Sequence, residues 1–188
     1  MKYFIGFMVT VIIIIILLVA SLGNVGRRPS NNNKPANNNL VSYANGDSFV
    51  RMTVDGPVSA NQDHYQVVVT VSNEKTIYEQ IKGYNGEVIK SESFNNNQNS
   101  FSTFLSALQK AGYMNGDKEQ SHASYQGFCS LGNRYIFSLY QNNKKVQQYW
   151  TSDCGSPKTY LGNFPLTYDL FQAQVPNYVD LTNDISLY

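Results

Sequence analysis

The sequence predicts an α+β fold: an N-terminal transmembrane helix, then an antiparallel β-meander packed by one amphipathic helix, a second β-hairpin and a short C-terminal helix. Three patterns carry that prediction. Residues 3–22 hold no charge. Residues 48–94 alternate apolar and polar with the period of two that marks half-buried strands. Phe101, Phe104, Leu105, Leu108 and Ala111 follow the spacing of a single helix face.

The first element is the apolar run. Eighteen of the first 22 residues are hydrophobic, and Val11 to Val19 offers no polar face of the kind a soluble core helix shows. At the helical rise per residue, residues 3–22 span about 30 Å, the thickness of a bilayer's hydrocarbon core. Ser21-Leu22-Gly23 provides a small-x-small cleavage site, but the run is longer than the roughly 7–15 residues of a signal-peptide core. An uncleaved anchor over residues 1–22 is the expectation. Lys2 and the α-amino group oppose Arg27, Arg28 and Lys34, so charge alone leaves orientation open. The short N-terminal tail and the two cysteines favour export of the rest.

Residues 23–46 are rich in Asn, Pro and Gly and carry little that can be buried, so a disordered linker is expected there. Residues 47–188 should then form one extracytoplasmic α+β domain.

Its strands follow in order. Val50, Met52 and Val54 share a face, and Asp55-Gly56-Pro57 breaks the run. Tyr65, Val67, Val69 and Val71 form a second strand, Ile77 and Ile81 mark a third, and Val88-Ile89 opens a fourth. Asn85-Gly86 between the last two is a strong hairpin signal, because both residues tolerate positive φ. The helix over 101–111 has Asn97 or Asn99 to cap its start and Gly112 for the left-handed position after its end. Residues 134–140 and 145–151 form the second hairpin. Leu166, Leu170 and Phe171 mark a short helix stopped by Pro176, and Val179, Leu181, Ile185 and Leu187 are expected to dock on the body.

Composition narrows the function classes. The chain is 42% hydrophobic and 14% charged with a formal net charge of +1, which excludes collagen-like, highly charged disordered and multi-span membrane proteins. The charges divide: residues 1–46 carry +4 and residues 47–188 carry −3. A folded part that is mildly acidic argues against nucleic acid as a partner.

Cys129 and Cys154 are the only cysteines. A hairpin turn centred between Gln141 and Asn142 sets them opposite one another, and a turn at Asn142-Asn143 shifts that register by two. Either way both thiols lie near the open end of one hairpin, within reach of a bond. Closing that loop stabilises by about 3–4 kcal/mol in the chain-entropy model. A structural disulfide is the expectation and points to an oxidising compartment; two buried thiols or a reactive Cys are the other readings.

No catalytic set is assembled. Thr151-Ser152-Asp153-Cys154 resembles the Cys strand of sortases, but no Arg follows Cys154, and His122 reads as a surface loop residue. Ser72-Asn73-Glu74-Lys75 matches the Ser-x-x-Lys string of penicillin-binding enzymes, whose Ser must open a helix, whereas this string is a turn between strands. His64, His122 and the cysteines do not form a zinc spacing, and no phosphate-loop or dinucleotide fingerprint is present, so neither metal nor cofactor is expected. Asp180 and Asp184 read as solvated surface acids. One feature suggests binding: Tyr135, Tyr140, Tyr149 and Trp150 are expected to make an aromatic face across the second hairpin, with the filling of a core as the competing role.

Two resemblances bear on the whole chain. Gly6-Phe7 behind a short basic leader resembles the cleavage site of type IV pilins, but Val11 stands where pilins carry Glu, and an Asn/Pro-rich linker interrupts what pilins continue as helix. The order of anchor, polar stalk, Val50-Arg51-Met52-Thr53-Val54-Asp55-Gly56-Pro57 strand and Cys129/Cys154 hairpin resembles uncharacterised single-pass membrane-anchored proteins of small-genome candidate-phylum bacteria. That resemblance implies no activity and supplies no catalytic residues.

The expected function is therefore a membrane-anchored, non-enzymatic domain of the cell envelope, single-pass through residues 3–22, that binds or supports an envelope or host surface component. An envelope enzyme built on Cys154, His122 and Asp153 is the alternative, and a pilin-like surface subunit the third reading. Oligomeric state is left open by the sequence.

Overall fold

Strand alternation and one amphipathic helix dictate the architecture. A computed structural model describes residues 39–117, 122–185 and 187. The expected membrane segment and residues 23–38 of the expected linker lie outside those residues. Among the described residues no helix is long and apolar enough to cross a membrane.

A 3-10 helix, Leu40–Asn45, leads into β1 (Ser48–Asp55), β2 (Tyr65–Ser72), β3 (Lys75–Lys82) and β4 (Glu87–Asn95). Then come α1 (Gln98–Lys110), β5 (Arg134–Gln141), β6 (Lys144–Ser152), α2 (Phe164–Gln172) and α3 (Tyr178–Thr182). The strands form one six-stranded sheet in the order β4-β3-β2-β1-β5-β6, every neighbour antiparallel. The class is α+β, with a meander of β1 to β4 and a second hairpin added along the free edge of β1.

Residues 39–46 correct the expected linker boundary. Leu40 and Ala44 are buried in the core, and Asn39 caps the 3-10 helix by accepting from the Val41 N–H at 3.1 Å. The Asn-rich composition hides two apolar residues at the right spacing to dock.

One face of the sheet builds the core. Cross-strand register aligns Val71, Val50 and Leu139, then Val69, Met52 and Phe137, then Val67, Val54 and Tyr135. Against them α1 lays Phe101, Phe104, Leu105 and Leu108, all buried. Each such side chain contributes about 1.5–3 kcal/mol on leaving water. The helix is bounded as its sequence dictates: Asn97 accepts from the Ser100 N–H at 3.0 Å, and Gly112 takes φ +78. The Tyr113 N–H then donates to the Leu108 carbonyl and the Gly112 N–H to that of Gln109, the paired bonds that end a helix with a left-handed residue.

The third strand lies where Ile77 and Ile81 mark it, with Thr76, Tyr78 and Gln80 in the core and the two Ile half-buried on the other face. Two local expectations need correction. The β3–β4 turn is four residues long, with positive φ at Gly83 and Gly86 rather than at Asn85. Val179 is 66% exposed and does not dock, whereas Leu187 does. In the second hairpin Asn142 and Asn143 both take positive φ, the two-residue turn that matches strand twist. That selects the second of the two registers, Tyr140↔Lys145, and an irregularity between Leu139 and Tyr140 then moves it by one, to Ile136↔Trp150.

Candidate functional site

The face of the sheet away from the helices carries a buried polar cluster at one end. Period-two alternation places Asp55, Arg134, Trp150 and Ile136 on it, and loop 122–133 covers that end.

The loop is held by a staple and a lid. Cys129 and Cys154 form the disulfide, with 5.6 Å between their Cα atoms. Phe128 stacks on the Trp150 indole at 5.5 Å, and Trp150 Nε1–H donates to the His122 carbonyl at 2.7 Å. The Val58 N–H donates to the Ser130 carbonyl at 2.7 Å, tying the loop to the chain after β1. Asp153, beside the staple, accepts from the Asn133 N–H and from the Tyr135 hydroxyl, both at 2.9 Å. Burial raises the Tyr135 phenol above its ordinary value, and its bond to Asp153 adds to that.

Beneath the loop lies a buried polar cluster. Asp55 sits directly opposite Arg134 in the β1–β5 pairing. Arg134 Nη2 lies 2.9 Å from Asp55 Oδ2 and also donates to the Gly56 carbonyl. His64 Nε2 lies 3.0 Å from Asp55 Oδ1, and Nδ1 lies 3.1 Å from the Pro57 carbonyl. Gln66 Nε2 donates to the same Asp55 oxygen at 2.9 Å. Tyr84, from the β3–β4 turn, stacks on the imidazole at 4.1 Å with ring planes 12° apart, and its hydroxyl bridges the Ser59 N–H and carbonyl. Burial raises the Tyr125 phenol, the Asp55 charge reinforces that, and Arg134 opposes it.

This cluster has the residue types of acid–base chemistry but not the access. The His64 side chain is 0% exposed, and each of its nitrogens is already committed to an internal partner. Its role in the folded chain is to satisfy Asp55 and the turn after β1. Sequence reasoning missed it because Asp55, His64 and Arg134 share no motif and meet only through strand pairing, His64 beside β2 and Arg134 on β5, on either side of β1.

The sequence-predicted residues do not gather as expected. Tyr135 and Tyr149 point to the helix-covered face and are buried, and Trp150 is fully buried on the opposite face under Phe128. Tyr140 also lies on that opposite face and stays half-buried, stacked on Phe49 at 4.6 Å. Tyr149 and Trp150 are adjacent in a strand and so cannot share a face, which rules out one surface of all four. The residues of the enzyme reading are each engaged: Cys154 in the disulfide, Asp153 by Asn133 and Tyr135, and the His122 ring edge-to-face with Phe128 at 5.9 Å. Ser72 of the Ser-x-x-Lys string accepts from the Glu74 and Lys75 N–H groups and donates to the Lys75 carbonyl, closing a turn. Asp180 is exposed, while Asp184 pairs with Lys90 at 3.2 Å and accepts from Gln80, which holds its carboxyl below the usual range. Among the described residues no group of three His, Cys, Asp or Glu is placed to hold a metal ion.

No protein-family model, curated protein or solved structure matches the chain.

Proposed function

We propose that this protein is a membrane-tethered domain displayed outside the cytoplasm, which works by binding or supporting another component of the envelope or a host surface rather than by catalysis. The observation that carries this reading is the Cys129–Cys154 disulfide, since such bonds persist in oxidising compartments. The uncharged apolar run over residues 3–22 supplies the tether. The sealed His64–Asp55–Arg134 cluster and the thiols consumed in the disulfide weigh against the enzyme reading.

The test is protease treatment of intact cells, read on non-reducing and reducing gels. Digestion of the domain from outside, with a mobility shift only on reduction, supports the proposal. A protected domain, or free thiols in the unreduced protein, would overturn it.

A further inference from the structure

The sheet face that loop 122–133 covers at one end is open at the other. Two cross-strand rows lie there. One runs Ser93, Ile77, Thr70, Arg51, Ser138 and Gln148. The other pairs Lys75 with Asn95, Ser72 with Phe49, and Phe49 with Tyr140, which stands opposite Lys145.

These rows contain three cations and no carboxylate, in a domain that is otherwise acidic; Glu79 stands one row further on. The Arg51 Nε–H donates to Thr70 Oγ1 at 3.0 Å, and its guanidinium lies 5.4 Å from the centroids of both the Phe49 and Tyr140 rings. Those contacts fix the plane of the fork and engage only one of its nitrogens, leaving the two terminal amino groups to grip a carboxylate in bidentate fashion. Fixing the plane in advance lowers the entropy lost on binding.

We propose that this face binds an anionic polysaccharide, its uronate carboxylates on Arg51 and Lys75 and its sugar rings along the Phe49–Tyr140 stack. The inference deepens the binding reading above and rests on it. Six strands at about 4.8 Å spacing make a surface roughly 24 Å wide. A sheet face suits an extended polymer better than a small molecule, for which concave pockets are the rule. The Thr70 hydroxyl, which accepts from Arg51 and keeps its proton to donate, and the Gln148 amide N–H groups suit a partner rich in hydroxyls. An acidic peptide is disfavoured because peptides pair with strand edges or fill grooves, and β1 and β2 here are paired on both sides.

The experiment titrates the full chain in detergent with polygalacturonate, neutral dextran and poly-L-glutamate. Polygalacturonate is expected to bind with affinity that falls as salt rises, dextran not to bind, and poly-L-glutamate to bind distinctly more weakly. Arg51→Gln should weaken polygalacturonate binding about tenfold or more. Lys75→Gln, at an exposed position, should weaken it severalfold and carries the test if Arg51→Gln fails to fold. No binding of polygalacturonate, equal or tighter binding of poly-L-glutamate, or unchanged affinity in a folded variant each overturns the proposal. Export of the domain is read separately by protease treatment, so failure here leaves that result standing.

Discussion

Arg134 and Asp55 face one another across β1 and β5 and form an ion pair of 2.9 Å with both side chains under a tenth exposed. The pair joins the meander to the second hairpin. Gln66 Nε2 donates to the same carboxylate and His64 Nε2 lies 3.0 Å from it, so Asp55 is the hub of the cluster.

Removing the hub should be severe. Asp55→Ala leaves the Arg134 guanidinium buried without its counter-charge, which costs about 3–5 kcal/mol. Replacing both residues with apolar ones of similar size should cost less, because the lone buried charge disappears with its partner. Urea unfolding of the two variants checks the order; a double variant weaker than Asp55→Ala would contradict it.

The staple is the second target. Cys129→Ser/Cys154→Ser should lower stability by about 3–4 kcal/mol, the loop-closure value for a bond that closes this length of chain. The reduced wild type should show the same loss. Unfolding midpoints with and without reductant measure it, and equal midpoints would mean the folded loop does not depend on the bond.

The third concerns Trp150, expected from the sequence to belong to an exposed aromatic face and found at 0% exposure. Trp150→Ala should cost about 3–5 kcal/mol, as for other buried aromatics, because it empties the space beneath Phe128 and leaves the His122 carbonyl without its donor. Tyr140→Ala, at a half-buried position, should cost distinctly less. Thermal unfolding of both variants separates core from surface.

The contrast between these residues shows what was legible. Local periodicity set α1, its Asn97 cap and its Gly112 exit, because each depends on neighbours within one or two turns. Hairpin arithmetic brought Cys129 near Cys154 for the same reason, and erred only by the extra residue of β6, Val146, opposite the Leu139–Tyr140 step, which moves the register. Alternation alone already separates Tyr149 from Trp150, so that grouping failed on a rule the sequence carries. Which face of β3 enters the core was not legible, since Tyr78 and Gln80 are buried through bonds to the distant Leu181 carbonyl while Ile77 is not. The Asp55–His64–Arg134 cluster and the Arg51 platform are likewise products of strand pairing.

The tight approach of Gly116 to the Tyr149 ring yields a fourth prediction. A Cβ at Gly116 would stand inside contact distance of three ring atoms, and the backbone there is bridged to Tyr160, so neither side gives way freely. Gly116→Ala should cost about 1–3 kcal/mol by overpacking. A companion Tyr149→Leu should recover part of that loss, and a double-mutant cycle by urea unfolding measures the coupling.

Alkaline pH should unfold the domain through its buried phenols. Burial raises Tyr78 to about 12 from the ordinary 10.0, with the Asp184 charge adding to the rise and the Gln80 hydrogen bond opposing it. Burial likewise lifts Tyr113, Tyr135 and Tyr178 above their ordinary values. A phenol that holds its proton more tightly when folded contributes stability that is complete below the unfolded value. That contribution fades as pH climbs from about 10 towards the folded value. Stability should thus hold on the acid side of pH 10 and fall steeply between 10 and about 12. Phenolate absorbance and far-UV circular dichroism should change together in one cooperative step. Tyr78→Phe removes one of the linked protons along with the hydroxyl that donates to the Leu181 carbonyl at 3.2 Å, so it should weaken the fold at neutral pH and flatten the alkaline slope. Buried phenols that ionise while the sheet signal stays constant would show that the rings reach solvent without unfolding, and the prediction would fail.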